Sequence, residues 1–218
     1  LVLMLLLVWI YIQSLRIALI PLVCSLIAIV WMMGVLVLLG YGVDPLGILV
    51  PFIIFAIGTS HGVQQISAWS NAALSGIDSL EAARRAFRML FLPAVVALAS
   101  DLLGFVTILF IPVQVIREMA VTASVGVGVV ILTNLVLLPV LVSYVKVTDR
   151  YRQRVERRQR QLAVVWDGLA RITDRGPAAA IIVVALVIGV AGFVKGRETP
   201  IGDTQAGVPE LRPDSRYN

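Results

Sequence analysis

Residues 17–39 read IALIPLVCSLIAIVWMMGVLVLL, a run without one charged side chain. A bilayer's hydrocarbon core is roughly 30 Å thick and a helix rises about 1.5 Å per residue, so about 20 apolar residues cross it. Four more runs meet that length: Leu46 to Trp69, Met89 to Ile111, Met119 to Val145, and Pro177 to Val194. Hydrophobic residues make up 59% of the chain and charged ones 14%, with a mean hydropathy of +0.95, too little polarity to keep a surface wet. The pattern predicts an all-α, polytopic transmembrane helix bundle with five full spans. A sixth run, Leu1 to Ile12, is too short to cross alone and starts in mid-pattern. It reads as a truncated helix, and the chain as a fragment of something longer.

Lys and Arg collect on the cytoplasmic side of short loops, and alternating the loops sorts them. One side takes Arg16, then Arg84, Arg85 and Arg88, then the nine basic residues from Lys146 to Arg175. The other side takes Arg117, Lys195 and Arg197 before the tail. The loops at Tyr41 to Pro45 and Pro112 to Glu118 are therefore expected outside, and the tail from Lys195 emerges there too. This makes the net charge of +5 a topology signal and argues against nucleic acid as a partner. The resulting division is a bundle over 1–145, a basic cytoplasmic linker over 146–176, a span over 177–194, and an extracytoplasmic segment over 195–218.

Two cytoplasmic stretches have the pattern of helices lying on a membrane surface. In Ile77 to Leu90, Asp78 followed by Glu81 forms a capping-box pattern, and Leu80, Ala83, Phe87 and Leu90 recur at helical spacing. The linker opens with TDRYRQRVERRQR, which carries Arg150, Arg152, Arg154, Arg157, Arg158 and Arg160. It continues with Leu162, Val165, Trp166, Leu169 and Ile172 on one stripe. Anionic lipid headgroups suit such a segment, and so does a solvated role that only sets topology.

Polar residues inside the spans carry the mechanistic information. In FAIGTSHGVQQISAWSN, Ser60, Gln64, Ser67 and Asn71 recur at i, i+4, i+7 and i+11, with His61 beside them and Gln65 one turn on. Lipid offers such groups no hydrogen bond, so the stripe is expected to face other helices or a water-filled path. The next span, FLPAVVALASDLLGFVTILF, holds Asp101 near its middle. Ionisable residues are costly in hydrocarbon and mark ion or substrate paths. A neighbouring carboxylate and burial act oppositely on an imidazole's proton, the opposition a proton-loading switch needs. His61 and Asp101 are thus relay candidates, with helix-to-helix hydrogen bonding as the alternative.

Small residues at four-residue spacing, Ser100 with Gly104, Ala120 with Ser124 and Gly128, and Ala185 with Gly189, are expected to let helices approach closely. Gly126 and Gly128 thin their helix, Asn134 is positioned to donate to a neighbour, and the lone Cys24 reads as a packing residue. No phosphate loop, metal-ligand cluster or nucleophile–base pair is legible. No cofactor is expected, and an enzyme is the least supported class.

Several stretches taken together resemble the resistance-nodulation-division (RND) superfamily of permeases, in the MMPL-like branch whose membrane half is related to sterol-sensing domains. AIGTSHGVQQ resembles its fourth membrane helix. ASDLLGFVTILF, IPVQVIREMAVTASVGV and NLVLLPVLVSYV resemble the fifth helix, the outer loop and the sixth helix. GDTQAGVPELRPDSRYN is similar to the stretch where an extracytoplasmic porter domain begins. The resemblance implies that the chain covers the end of helix two through helix seven of a twelve-helix exporter of the bacterial inner membrane. Such exporters move lipids, drugs or other hydrophobic or amphipathic molecules, usually driven by protons, as monomers or homo-oligomers. Many relatives carry one or two aspartates after the helix-four glycine. Here Ser60-His61 stands in that place, so the resemblance carries the proton role to His61 by position. A lipid-sensing module without proton flux, resembling a sterol-sensing domain, is the alternative.

Overall fold

The computed structural model describes residues 2–42 and 47–199. Among these residues the secondary structure is helical throughout, without a strand. The chain divides into two compact units, Leu1–Arg158 and Gln159–Asn218.

The first unit contains α1 (Val2–Ile12), α2 (Leu15–Leu38), α3 (Val50–Leu74), α4 (Ser79–Ile108), α5 (Gln114–Leu132) and α6 (Leu138–Ser143). It also takes in the opening turns of α7 (Asp149–Ala170). A 3₁₀ turn, Gly47–Leu49, leads into α3, and a π-helical segment, Thr133–Leu137, joins α5 to α6 as one long rod. In the second unit a 3₁₀ turn, Arg171–Thr173, leads into α8 (Arg175–Gly196). The candidate spans are Leu15–Leu38, Gly47–Leu74, Ser79–Ile108, Gln114–Ser143 and Arg175–Gly196, each long and apolar enough to cross a membrane. The expected start of an outer domain, residues 200–218, lies outside the described residues.

The bundle's packing explains this architecture. α2 lies mainly against α3, while α4 packs on both α3 and α5. Two apolar clusters fill the interior. One joins Ile12, Ile17, Leu22, Ile66, Trp69, Ala82, Leu138 and Tyr151, and the other joins Met32, Leu36, Ile54, Leu98, Val127 and Val130. The exterior is equally apolar, with Phe52 72%, Leu92 69% and Val140 50% exposed. A surface of that kind is stable only in a hydrocarbon solvent.

Two expectations are corrected. Ile77 to Leu90 is not a separate surface helix. Asp78 does cap a helix, its carboxylate accepting from the Glu81 amide at 2.7 Å, but that helix then runs unbroken to Ile108. Ala82, Ala83 and Ala86 bury its first turns in the bundle, whereas Leu80 is 45% exposed. The small-residue repeats are matched only in part. A side chain at Gly104 or Gly128 would meet nothing within 4 Å, so no backbone approaches there, whereas Ala120 is fully buried and Gly126, expected to thin its helix, does lie at a close approach. The close approaches are at Gly58, Gly62 and Gly126, where an added Cβ would fall within 2.5–2.8 Å of Ser25, Pro21 and Ile54 respectively. Cys24 is buried, as expected of a packing residue.

Candidate functional site

Between the two apolar clusters lies a belt of buried polar side chains. Pro21 stands inside α2, where its ring removes a backbone donor, and the Ser25 hydroxyl donates back to the Pro21 carbonyl at 2.8 Å. Thr59 on α3 donates to Ser25 Oγ at 3.2 Å, tying α3 to α2. Gly58 and Gly62 make this possible, because they carry no side chain where Ser25, Pro21 and Leu138 press against α3. From the π segment, Asn134 Nδ2 donates to the Gly58 carbonyl at 3.2 Å. This is the cross-helix donation predicted for Asn134. The segment itself is widened, with the Leu138 amide reaching the Thr133 carbonyl five residues back. Such insertions recur at functional sites.

His61 sits at mid-length of its span, half-buried, and its Nδ1 is buried without a hydrogen-bond partner among the described residues. Asn134 Oδ1 and Ser124 Oγ are in the same condition. Asp101 on α4 is half-buried and close enough for its charge to act on His61. The two form no ion pair, and the ion pairs among the described residues are Arg84 with Glu81 and Lys195 with Glu198. An imidazole and a carboxylate in electrostatic reach, with an unsatisfied ring nitrogen between packed helices, can exchange one proton without net charge appearing in the core. Among the described residues no cluster of His, Cys, Asp or Glu has the arrangement of a metal site.

The predicted polar stripe is turned differently. Ser60, Gln64 and Asn71 are exposed on the surface of the bundle, and Ser67 is held by the Tyr11 hydroxyl at 3.0 Å. Gln65, on the other face, is buried. The polar face that packs against helices is Thr59 and Gln65 with the two glycines, and Ser25 had not been singled out. The G-x-x-x-G spacing of Gly58 and Gly62, within the same quoted stretch, was the sequence signal for it.

The six arginines of the TDRYRQRVERRQR stretch divide by partner. Arg154 Nη1 donates to the Gln13 carbonyl at 3.0 Å, and Arg158 Nη1 to the carbonyls of Ile10 and Tyr11. The carbonyls of Ile10 and Tyr11 are among the last of α1, which lack helical partners and carry its negative dipole end, and Gln13 follows directly on that end. Arg152 is half-buried, while Arg150, Arg157 and Arg160 are exposed. Compared with protein-family models, with curated proteins and with solved structures, the chain matches none.

Proposed function

We propose that the chain is membrane-embedded machinery of a proton-coupled, RND-type exporter of hydrophobic or amphipathic molecules in a bacterial inner membrane. The observation that carries this reading is His61, an ionisable residue at mid-span with an unpartnered buried Nδ1 and with Asp101 in electrostatic reach. Ionisable groups in such positions mark proton and substrate paths.

In this reading His61 is loaded by a proton while Asp101 is ionised, and the pair is then neutral overall. Release of the proton leaves a lone carboxylate, which the apolar surroundings of α3 and α4 tolerate less well. The two states thus favour different packing of the helices, and the belt of Ser25, Thr59 and Asn134 is where that repacking is transmitted. Gly58 and Gly62 bring α3 so close to Ser25, Pro21 and Leu138 that a change in the packing of α3 is felt directly on α2 and α6. Substrate, on the family resemblance, is handled with the remainder of the same transporter.

The test is transport by the full-length protein in vesicles bearing an imposed pH gradient, with an internal pH dye and a fluorescent lipid as readouts. His61→Ala and Asp101→Asn are expected to abolish gradient-dependent movement while leaving folding intact. Parental rates in both variants would sink the relay. Lipid photocrosslinking with no dependence on the gradient would instead assign the module to lipid sensing.

A further inference from the structure

One end of the bundle carries a cationic cavity. α1 stops at an elbow where Gln13 takes the left-handed conformation, φ +62°, rare for a side-chain-bearing residue. Ser14 is extended, and α2 begins immediately after it. The opening turn of α7 returns to this elbow. Tyr151 is buried there and shares a 2.8 Å hydrogen bond with Ser70, so the turn is anchored. Ser14, Arg16, Thr148, Asp149, Arg150 and Arg154 surround an open cavity of about 720 Å³ floored by Tyr151.

Three guanidinium groups therefore meet around one space, with a single carboxylate, Asp149, on its wall. Among the described residues none of the three is ion-paired, with Asp149 or with any other acid. Only Arg154 is committed, through one hydrogen bond to Gln13, and a guanidinium has five N–H donors. Three cations facing one carboxylate leave the cavity with an excess of positive charge, and an anion between the guanidinium groups removes the cost of their repulsion. Arginine's planar fork matches phosphate oxygens two at a time. The Ser14 side chain makes no capping bond at the start of α2 and is available as a further donor.

The surroundings decide which phosphate. Arg16 stands in the first turn of a candidate span, the level at which lipid headgroups lie. From the cavity, Leu15, Leu19 and Val23 run along one face of α2 at four-residue spacing, each 41–51% exposed, forming an apolar track. A soluble phosphate compound has no use for such a track, whereas acyl chains lie along it.

We propose that this cavity binds the phosphate of an anionic phospholipid, with Arg16, Arg150 and Arg154 on the headgroup and the α2 track on the chains. A bound lipid would brace the elbow, since Arg154 holds both the headgroup and the Gln13 carbonyl.

The test titrates the detergent-purified full-length protein with dioctanoyl phosphatidylglycerol, following binding by native mass spectrometry, with glycerol 3-phosphate as the soluble counterpart. Arg16→Gln and Arg150→Gln are the informative variants, because neither residue makes a hydrogen bond whose loss would disturb the fold. Each is expected to weaken lipid binding about tenfold, the size of one charge-assisted contact, with an unchanged melting temperature. The control is the triple variant Arg84→Gln, Arg85→Gln, Arg88→Gln, which removes more charge outside the cavity and is expected to bind like the parent. Equal weakening in that control shows general charge attraction and overturns the site. Equal affinity for glycerol 3-phosphate and the lipid overturns the lipid assignment.

Discussion

At the scale of single residues, the bundle depends on positions where a side chain is missing. An added methyl at Gly62 would lie 2.7 Å from Pro21 Cβ, on a ring that cannot turn aside. At Gly126 it would lie 2.5 Å from Ile54 Cγ1 and 2.7 Å from Met32 Sδ, both fully buried. Overpacking costs about 1–3 kcal/mol, so Gly62→Ala and Gly126→Ala should both be destabilising. Gly128→Ala, with nothing within 4 Å, should be neutral or stabilising through helix propensity, by up to about 1 kcal/mol. Thermal unfolding in detergent ranks them, and equal melting of Gly62→Ala and Gly128→Ala would refute the close approach of α2 and α3. Tyr151 offers a second measurement. Burial pushes its phenol above the ordinary value of about 10, partly opposed by the hydrogen bond with Ser70. The folded chain thus holds that proton more tightly than the unfolded one. Stability from this source is complete below about pH 10 and declines as pH rises through the folded value. Above about pH 10 the parent should lose melting temperature more steeply than Tyr151→Phe, and parallel slopes would show that the phenol is not buried.

At the scale of helices, length and type were legible while orientation was not. Apolar run length located every span, missing most at the start of α4, which begins at Ser79 rather than Met89, and the Asp78 cap was readable because its carboxylate satisfies a backbone amide locally. The amphipathic reading of Ile77 to Leu90 missed because the buried face there is alanine, which hydropathy barely separates from the rest. In a water-soluble helix a polar face marks the outside, but in hydrocarbon the exterior is as apolar as the interior. Burial in this bundle is marked instead by small residues and by polar groups that bond across helices, as at Gly58, Thr59 and Asn134. The tryptophans test the resulting orientation. Trp31 on α2 is 45% exposed and Trp69 on α3 fully buried, though both lie in candidate spans. In single-tryptophan variants reconstituted with lipids brominated on the acyl chains, Trp31 should be quenched strongly and Trp69 weakly. Comparable quenching would mean that α3 is rotated from the face described.

At the scale of the whole molecule, the relay candidates were the most legible part, since an ionisable residue in an apolar run stands out without any knowledge of the fold. What the sequence withheld was their setting. Ser60 and Gln64 were expected to build the path with His61, yet they point outward, and Ser25, remote in sequence, joins the belt through Thr59. Only helix packing brings such distant positions together. The alternation of helices has a consequence that labelling can decide. With every candidate span crossing, the elbow at Gln13 and Ser14, the turn at Ser75 and Gly76, and the stretch before α7 are an even number of crossings apart and are predicted to share a membrane face. Gly42 and Pro112 are then predicted on the opposite face. The first group also carries Arg16, Arg84, Arg85, Arg88 and the linker arginines, so the excess of basic residues predicts a cytoplasmic location for it. With Cys24 replaced by Ser, single cysteines at Ser75 and Thr148 should react with an impermeant maleimide only in inside-out vesicles, and those at Gly42 and Pro112 only in right-side-out ones. Labelling of Ser75 and Thr148 from opposite sides would mean that α4 and the α5–α6 rod do not both cross.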